Sequence, residues 1–248
     1  MKRYIRSAVK ALSDESSDFR EELAWNTGTS PRDLRALFDM SKSDPQGDLM
    51  RMAIAKNTSI PEDVAIELAS DEDKNIRLWL AANKGAPTKA LDILAQDWNL
   101  GTRIRTAENP NTSFAALALL ADDPDEGVRY TVADNPQELP EDILRKLAFD
   151  SNQDVRMEVA ERHDLSPELL VMMSDDDSRY VRILVAKNDN TPIDILVKLS
   201  RDPEWYVRWT VAINPRTPME ILQKLTGDES DKVVEKATES MIARGAFT

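Results

Sequence analysis

The stretch DDSRYVRILVAKNDNTPIDILVKLSR, residues 176–201, sets the architecture of this chain. It carries Asp176, Val181-Arg182, Val185-Ala186, Asn188, Thr191-Pro192, Ile195-Leu196 and Leu199. The following residues repeat the scheme as Asp202, Val207-Arg208, Val211-Ala212, Asn214, Thr217-Pro218, Ile221-Leu222 and Leu225. Self-similarity at a fixed period of this size is the mark of a repeat array, in which each unit buries its apolar face against the next.

Working outward, Arg51, Arg77, Arg103 and Arg129 are each 26 residues apart. Arg156 follows after 27, with one extra residue in the loop PQELP, and Arg182 and Arg208 resume the 26-residue step. A divergent first unit holds Arg20, Leu23-Ala24, Asn26, Ser30-Pro31 and Leu34, and the loop-like stretch SKSDPQGDL (41–49) separates it from the regular array. Three regions follow: an N-terminal capping helix over 1–17, the repeat array over 18–228, and a C-terminal capping helix over 229–248. The first rests on Tyr4, Ile5, Ala8, Val9 and Leu12, which fall at helical spacing.

Each unit reads as two short helices. In the last, the first helix spans 204–213, with Val207 and Val211 one turn apart on one face. Asn214 is expected to end it in the left-handed conformation that Asn tolerates, with Asn57, Asn83, Asn109, Asn135 and Asn188 in the same slot. Thr217-Pro218 then reads as an N-cap followed by Pro at the first helical position. Ile221, Leu222 and Leu225 supply the apolar stripe of the second helix. Helices of about ten residues are marginal alone in water, so stacking must stabilise them. No segment alternates with a strand's period, so no sheet is expected.

These residues resemble the leucine-rich repeat variant family. The pattern V-R-x-x-V-A-x-N-x-x-T-P-x-x-x-L-x-x-L is matched well at 181–199, 207–225 and 128–147 (with one insertion), and more loosely at 50–68, 76–94, 102–120 and 155–173. The resemblance implies an all-α, right-handed α-solenoid of about eight 26-residue units, each an α/α or α/3₁₀ pair. It says little about function, because the family is defined by its scaffold. Some relatives add a cysteine-bound iron–sulfur module; this chain has no cysteine. The chain is also similar to HEAT repeats, in which an Asp and a basic residue six positions later form a ladder between units. Asp71–Arg77, Asp97–Arg103, Asp123–Arg129, Asp150–Arg156, Asp176–Arg182 and Asp202–Arg208 keep that spacing. The arginine row is therefore read as structural: Arg129 is expected to pair with Asp123 or with the Asp of an adjacent unit, partly buried between repeats.

Composition narrows function further. Lys and Arg total 32 against 45 Asp and Glu, a formal net charge of −13. Binding to phosphate backbones draws its affinity from basic side chains, so nucleic acid is a poor partner. Without cysteine, thiolate metal sites and cysteine nucleophiles are excluded. No apolar run approaches the ~18 residues that cross a bilayer, and a cytoplasmic location is expected. The acidic clusters 71–73, 122–123 and 175–177 lack the spacing of a calcium loop. His163 stands alone beside Arg162, which fills an Asn slot. No phosphate loop, nucleophile elbow or zinc signature is present.

The expectation is a non-enzymatic scaffold without cofactor or metal, binding another protein or peptide whose edge carries basic residues. The alternative is a HEAT-like nucleic-acid-processing protein such as a DNA alkylation-repair glycosylase, which would need a basic groove. Relative to each repeated Arg, positions −2, +2 and +5 share one side of the first helix and vary freely between units. The candidate partner-binding surface drawn from them comprises Trp79, Tyr180, Leu184, Tyr206, Thr210 and Ile213.

Overall fold

A computed structural model describes residues 17–44 and 47–245. The expected N-terminal capping helix lies outside them, except for residue 17. The described residues are helical, with no strand among them. The chain divides into two compact units at 139/140.

In the first unit, first and second helices alternate: α1 (Ser17–Trp25), α2 (Pro31–Ser41), α3 (Gly47–Lys56), α4 (Glu62–Leu68), α5 (Lys74–Ala82), α6 (Thr88–Leu94), α7 (Leu100–Glu108), α8 (Phe114–Leu120) and α9 (Glu126–Ala133). The first helices α1, α3, α5, α7 and α9 stack on one another, and the second helices α4, α6 and α8 form the other layer. The second unit holds α10 (Glu141–Ala148), α11 (Gln153–Glu161), α12 (Pro167–Met173), α13 (Arg179–Lys187), α14 (Ile193–Leu199), α15 (Trp205–Ile213), α16 (Met219–Leu225) and α17 (Asp231–Ala243). There α11, α13, α15 and α17 stack in the same way. The second helices are α-helical, seven residues long in α4, α6, α8, α12, α14 and α16. The loop expected over 41–49 is shorter, since Gly47–Leu49 already belong to α3.

The repeated apolar residues form the core between layers. Val128, Val132, Val155, Val159, Val181, Val185, Val207 and Val211 are all fully buried. So is the alanine four after each Arg, as at Ala81, Ala107, Ala186 and Ala212, where a small side chain lets successive first helices approach. Leu68, Leu91, Leu94, Leu117 and Leu120 fill the first unit beneath them. Each such leucine contributes about 1.5–3 kcal/mol of burial.

Two expectations about the turns are corrected. The repeated Asn is extended rather than left-handed: φ, ψ are −75°, 116° at Asn83 and −74°, 125° at Asn109. Its side chain is the reason. Asn109 Nδ2 donates to the Ala81 carbonyl at 2.7 Å and the Asn83 carbonyl at 2.9 Å, both in the preceding repeat. Its Oδ1 accepts from the Asn111 amide at 3.0 Å. Asn57, Asn83 and Asn214 make the same bonds in their own repeats. Extended backbone points the amide at the neighbour's helix end, whose last carbonyls have no partner within their own helix. The repeated Thr does not cap the second helix either. Thr112 and Thr217 donate back to the carbonyls of Thr106 and Val211, each at 2.6 Å. The N-cap is the next residue, a Pro at Pro192 and Pro218 and a Ser at Ser113, whose hydroxyl accepts from the Ala116 amide.

The arginine ladder exists, and of the two partners expected its rungs use the Asp of the adjacent unit, not the carboxylate six residues before the Arg. Arg103 Nε and Nη2 close on the Asp123 carboxylate, twenty residues onward, at 2.6 and 3.1 Å. Its Nη1 donates to the backbone carbonyl, not the carboxylate, of Asp97 at 2.9 Å. Arg77–Asp97, Arg156–Asp176, Arg182–Asp202 and Arg208–Asp228 repeat this fork, and Arg51 pairs with Asp71. Each Asp carboxylate also accepts the amide two residues on, as from Asp125 to Asp123 at 2.9 Å. That turn aims the carboxylate at the preceding repeat, leaving only its carbonyl for the Arg of its own unit. Arg129 donates to the Asp123 carbonyl at 2.8 Å.

Helix α17 is more than a cap. Ser240 falls 26 residues after Asn214 and donates to the Ala212 carbonyl at 2.7 Å. Arg244 donates to the Asn214 carbonyl at 2.8 Å. Together they reproduce the two bonds of an Asn rung, so α17 stands where the first helix of another repeat would.

Candidate binding surface

The stacked first helices bury their valines and alanines on one side and turn most residues at positions −2, +2 and +5 to the other, with Ala53 and Thr210 at +2 buried. In the second unit this side carries Tyr180 at 45%, Tyr206 at 42% and Ile213 at 43% exposure. Leu184 is half-buried. It lines a cavity of about 370 Å³ together with Glu161, His163, Lys187 and Asp189. Thr210 does not belong to the surface: it is 6% exposed, and its hydroxyl donates to the Tyr206 carbonyl one turn back at 2.8 Å. A short β-branched side chain lies against its own helix, and the longer aromatics around it take the solvent side.

Tyr206 is part of a larger aromatic group. Its ring stacks on Trp209, with centroids 5.1 Å apart and planes at 11°. Trp205 meets it edge-on at 5.3 Å and 72°. Such offset and T-shaped contacts suit the ring quadrupoles and hold the cluster in one geometry. Lys232 of α17 lies 4.7 Å from the Trp205 ring centroid, and Trp205 stays 37% exposed. Tyr180 is oriented by Arg179, whose guanidinium lies 4.9 Å from its ring centroid and donates to its hydroxyl at 3.0 Å.

In the first unit Trp79 is 41% exposed and belongs to a separate group. The Lys56 ammonium sits 3.5 Å from its ring centroid and 5.1 Å from that of Trp25. The sequence reading missed Trp25, Trp205 and Trp209, although for Trp209 a signal was present. The residue after each repeated Arg is apolar throughout: Met52, Leu78, Ile104 and Tyr130 in the first unit, Met157, Ile183 and Trp209 in the second. These are half-buried except Tyr130, which is exposed. They border the open side of the first helices.

The arginine row contributes little positive surface. Arg77 and Arg208 side chains are 6% and 7% exposed, and Arg103, Arg156 and Arg182 lie between 14% and 16%. The hydrogen bond from each to its Asp is the main influence raising the guanidinium pKa, so these groups stay charged and internally paired.

No protein-family model matches the chain, and no curated protein matches it significantly. Among solved structures, it is similar to a leucine-rich repeat variant with a novel repetitive structural motif: 25% identity, TM-score 0.63, covering 87% of this chain and 88% of that one. The resemblance read from the repeats is thus found again in the fold. A structure described as an engineered protein matches at 18% identity and TM-score 0.31, covering 95% of this chain and 77% of the other. Computationally designed armadillo repeat proteins for modular peptide recognition match at 15% identity and TM-score 0.23, covering 95% and 98%. No described helix is long and apolar enough to cross a membrane.

Proposed function

We propose that this helical-repeat chain is a non-enzymatic scaffold that binds a protein segment on the open side of its first helices. The second unit holds the principal contacts: Tyr180, Trp205, Tyr206, Trp209 and Ile213. The observation that carries this reading is the Trp205–Tyr206–Trp209 stack, a preordered aromatic group in which Trp205 and Tyr206 stay exposed and Trp209 is half-buried beside them. Aromatic anchors of this kind dominate binding energy at interfaces because they bury large areas with little loss of side-chain freedom. A net charge of −13 favours a partner with basic residues around its apolar anchor. The nucleic-acid reading lacks such support, because the arginines that would meet phosphates are paired with aspartates between repeats.

Selection of peptides from a random display library on the purified chain tests this. Enriched peptides should carry apolar anchors flanked by Lys or Arg, and Tyr180→Ser with Tyr206→Ser should weaken their binding at least ~tenfold. The helical circular dichroism signal should not change. Enrichment that is indifferent to both tyrosines, or no enrichment, overturns the assignment.

A further inference from the structure

A second feature of the open side lies in the first unit, where Trp25, Lys56 and Trp79 come from three successive first helices, α1, α3 and α5. Trp25 and Lys56 sit five residues after Arg20 and Arg51, and Trp79 two after Arg77. Stacking therefore brings all three to the same side. The Lys56 ammonium stands over the Trp79 ring at 3.5 Å and faces Trp25 at 5.1 Å. Among the described residues it has no hydrogen bond and no carboxylate partner, in a chain with 45 acidic side chains. The neighbouring lysines Lys42 and Lys89 do find carboxylates, Glu67 and Glu62. An ammonium that is half-buried between indoles instead of ion-paired marks the place as one shaped for a cation by ring faces.

We propose that Trp25 and Trp79 form a cradle for a lysine side chain of a partner protein, which Lys56 occupies in the free chain. Trp25 is 49% and Trp79 41% exposed, so both indoles are reachable from solvent. Lys56 hangs on a flexible four-carbon stem with no other polar anchor, so it can swing into solvent when a second ammonium arrives. The incoming group needs the same chemistry as the one it displaces, a compact cation on an extended stem. The surrounding negative charge raises the local concentration of basic segments. This inference rests on the reading that the array binds a protein, but it concerns a different surface in a different unit.

The test uses the full chain and follows the indole N–H resonances of Trp25 and Trp79 by NMR. The probes are a short capped peptide with one lysine, its norleucine and arginine counterparts, and tetramethylammonium. Lys56→Ala should bind the lysine peptide at least ~tenfold more tightly than the wild type, moving both indoles saturably. The norleucine peptide should move neither, and Lys56→Ala with Trp79→Ala should abolish binding. Lys56→Gln serves as a second vacated cradle. No response to the lysine peptide, or an equal response to norleucine, overturns the proposal. Response to tetramethylammonium or the arginine peptide alone overturns the lysine assignment. Loss of helical signal in both Lys56 variants would make this lysine a structural prop, which also overturns it. Peptide binding through Tyr180 and Tyr206 should be untouched by Trp79→Ala, so the two surfaces fail or stand separately.

Discussion

The Arg77 guanidinium closes on the Asp97 carboxylate with both members buried, the side chains being 6% and 4% exposed. Nη2 donates to Oδ1 at 3.1 Å and Nε to Oδ2, while Nη1 reaches back to the Asp71 carbonyl at 2.6 Å. One side chain thus ties its own turn to the next repeat. Removing one member of a buried pair leaves the other charge uncompensated, so Arg77→Ala should lose about 3–5 kcal/mol in denaturant titration. Arg77→Lys should recover only part of this, because an ammonium cannot span the fork. Arg35, paired at the surface with Asp39, Asp63 and Glu67, is the control: Arg35→Ala should shift the denaturation midpoint far less than Arg77→Ala does.

The Asn rungs have their own signature. Asn109→Ala strips two carbonyls and one amide of partners, at about 1–3 kcal/mol. Asn109→Asp sets a carboxylate against the Ala81 and Asn83 carbonyls and should be at least as destabilising near neutral pH. Burial and those carbonyls raise the introduced carboxyl's pKa in the fold above its unfolded value. Its protonated form donates again, so the Asp variant should regain stability as pH falls, and the Ala variant should not. Parallel pH profiles for the two variants would contradict the rung geometry.

Acid should loosen the Arg208–Asp228 rung in a defined window. Burial alone would raise the Asp228 carboxyl, but hydrogen bonds from Arg208 and the Ser230 amide, with the guanidinium charge, outweigh it and hold the pKa below the usual carboxylate range. A lowered folded pKa gives stability that is present above the unfolded value of about 3.9 and is lost as pH falls through the folded one. This pair should therefore contribute evenly from neutral pH down to about pH 4 and fail below it. Asp228→Asn should lower stability at neutral pH and flatten the acid limb, as followed by circular dichroism.

Gly85 marks a close approach between turns. A Cβ there would lie 2.3 Å from the Thr58 carbonyl oxygen and 2.6 Å from its Cα, both backbone atoms that cannot swing aside. Gly85→Ala should destabilise by about 1–3 kcal/mol through backbone displacement. Gly227→Ala, whose Cβ would meet nothing nearer than 3.6 Å, should be nearly neutral.

Thr210→Val tests the corrected edge of the aromatic surface. The hydroxyl's bond to the Tyr206 carbonyl is a local back-bond to a carbonyl that the helix already engages, so stability should shift by less than about 1 kcal/mol. Peptides selected on the wild type should bind the variant unchanged. Weakened binding without loss of helix would return Thr210 to the surface.

The sequence by itself determined the helices, their pairing and the stacking. Val181, Val185 and Ala186 recur at spacings that only a buried helical face satisfies, and helices this short cannot stand alone. It also determined that Tyr180, Tyr206 and, in the other unit, Trp79 each take the solvent side of their own helix, because position relative to the repeated Arg fixes the helix face. Only the tertiary structure decided which groups meet. Asp97 precedes Arg103 by six residues and follows Arg77 by twenty; both partners are legible, but the turn at Asn99 claims the carboxylate and aims it backwards. The Asn slot was equally plain, yet its extended backbone follows from carbonyls in the preceding repeat, which no local propensity contains. Trp25, Lys56 and Trp79 lie 31 and 23 residues apart in the chain and within one ring contact in space. Period fixes the face a residue takes, whereas contact across repeats depends on how far each side chain reaches over the gap between stacked helices.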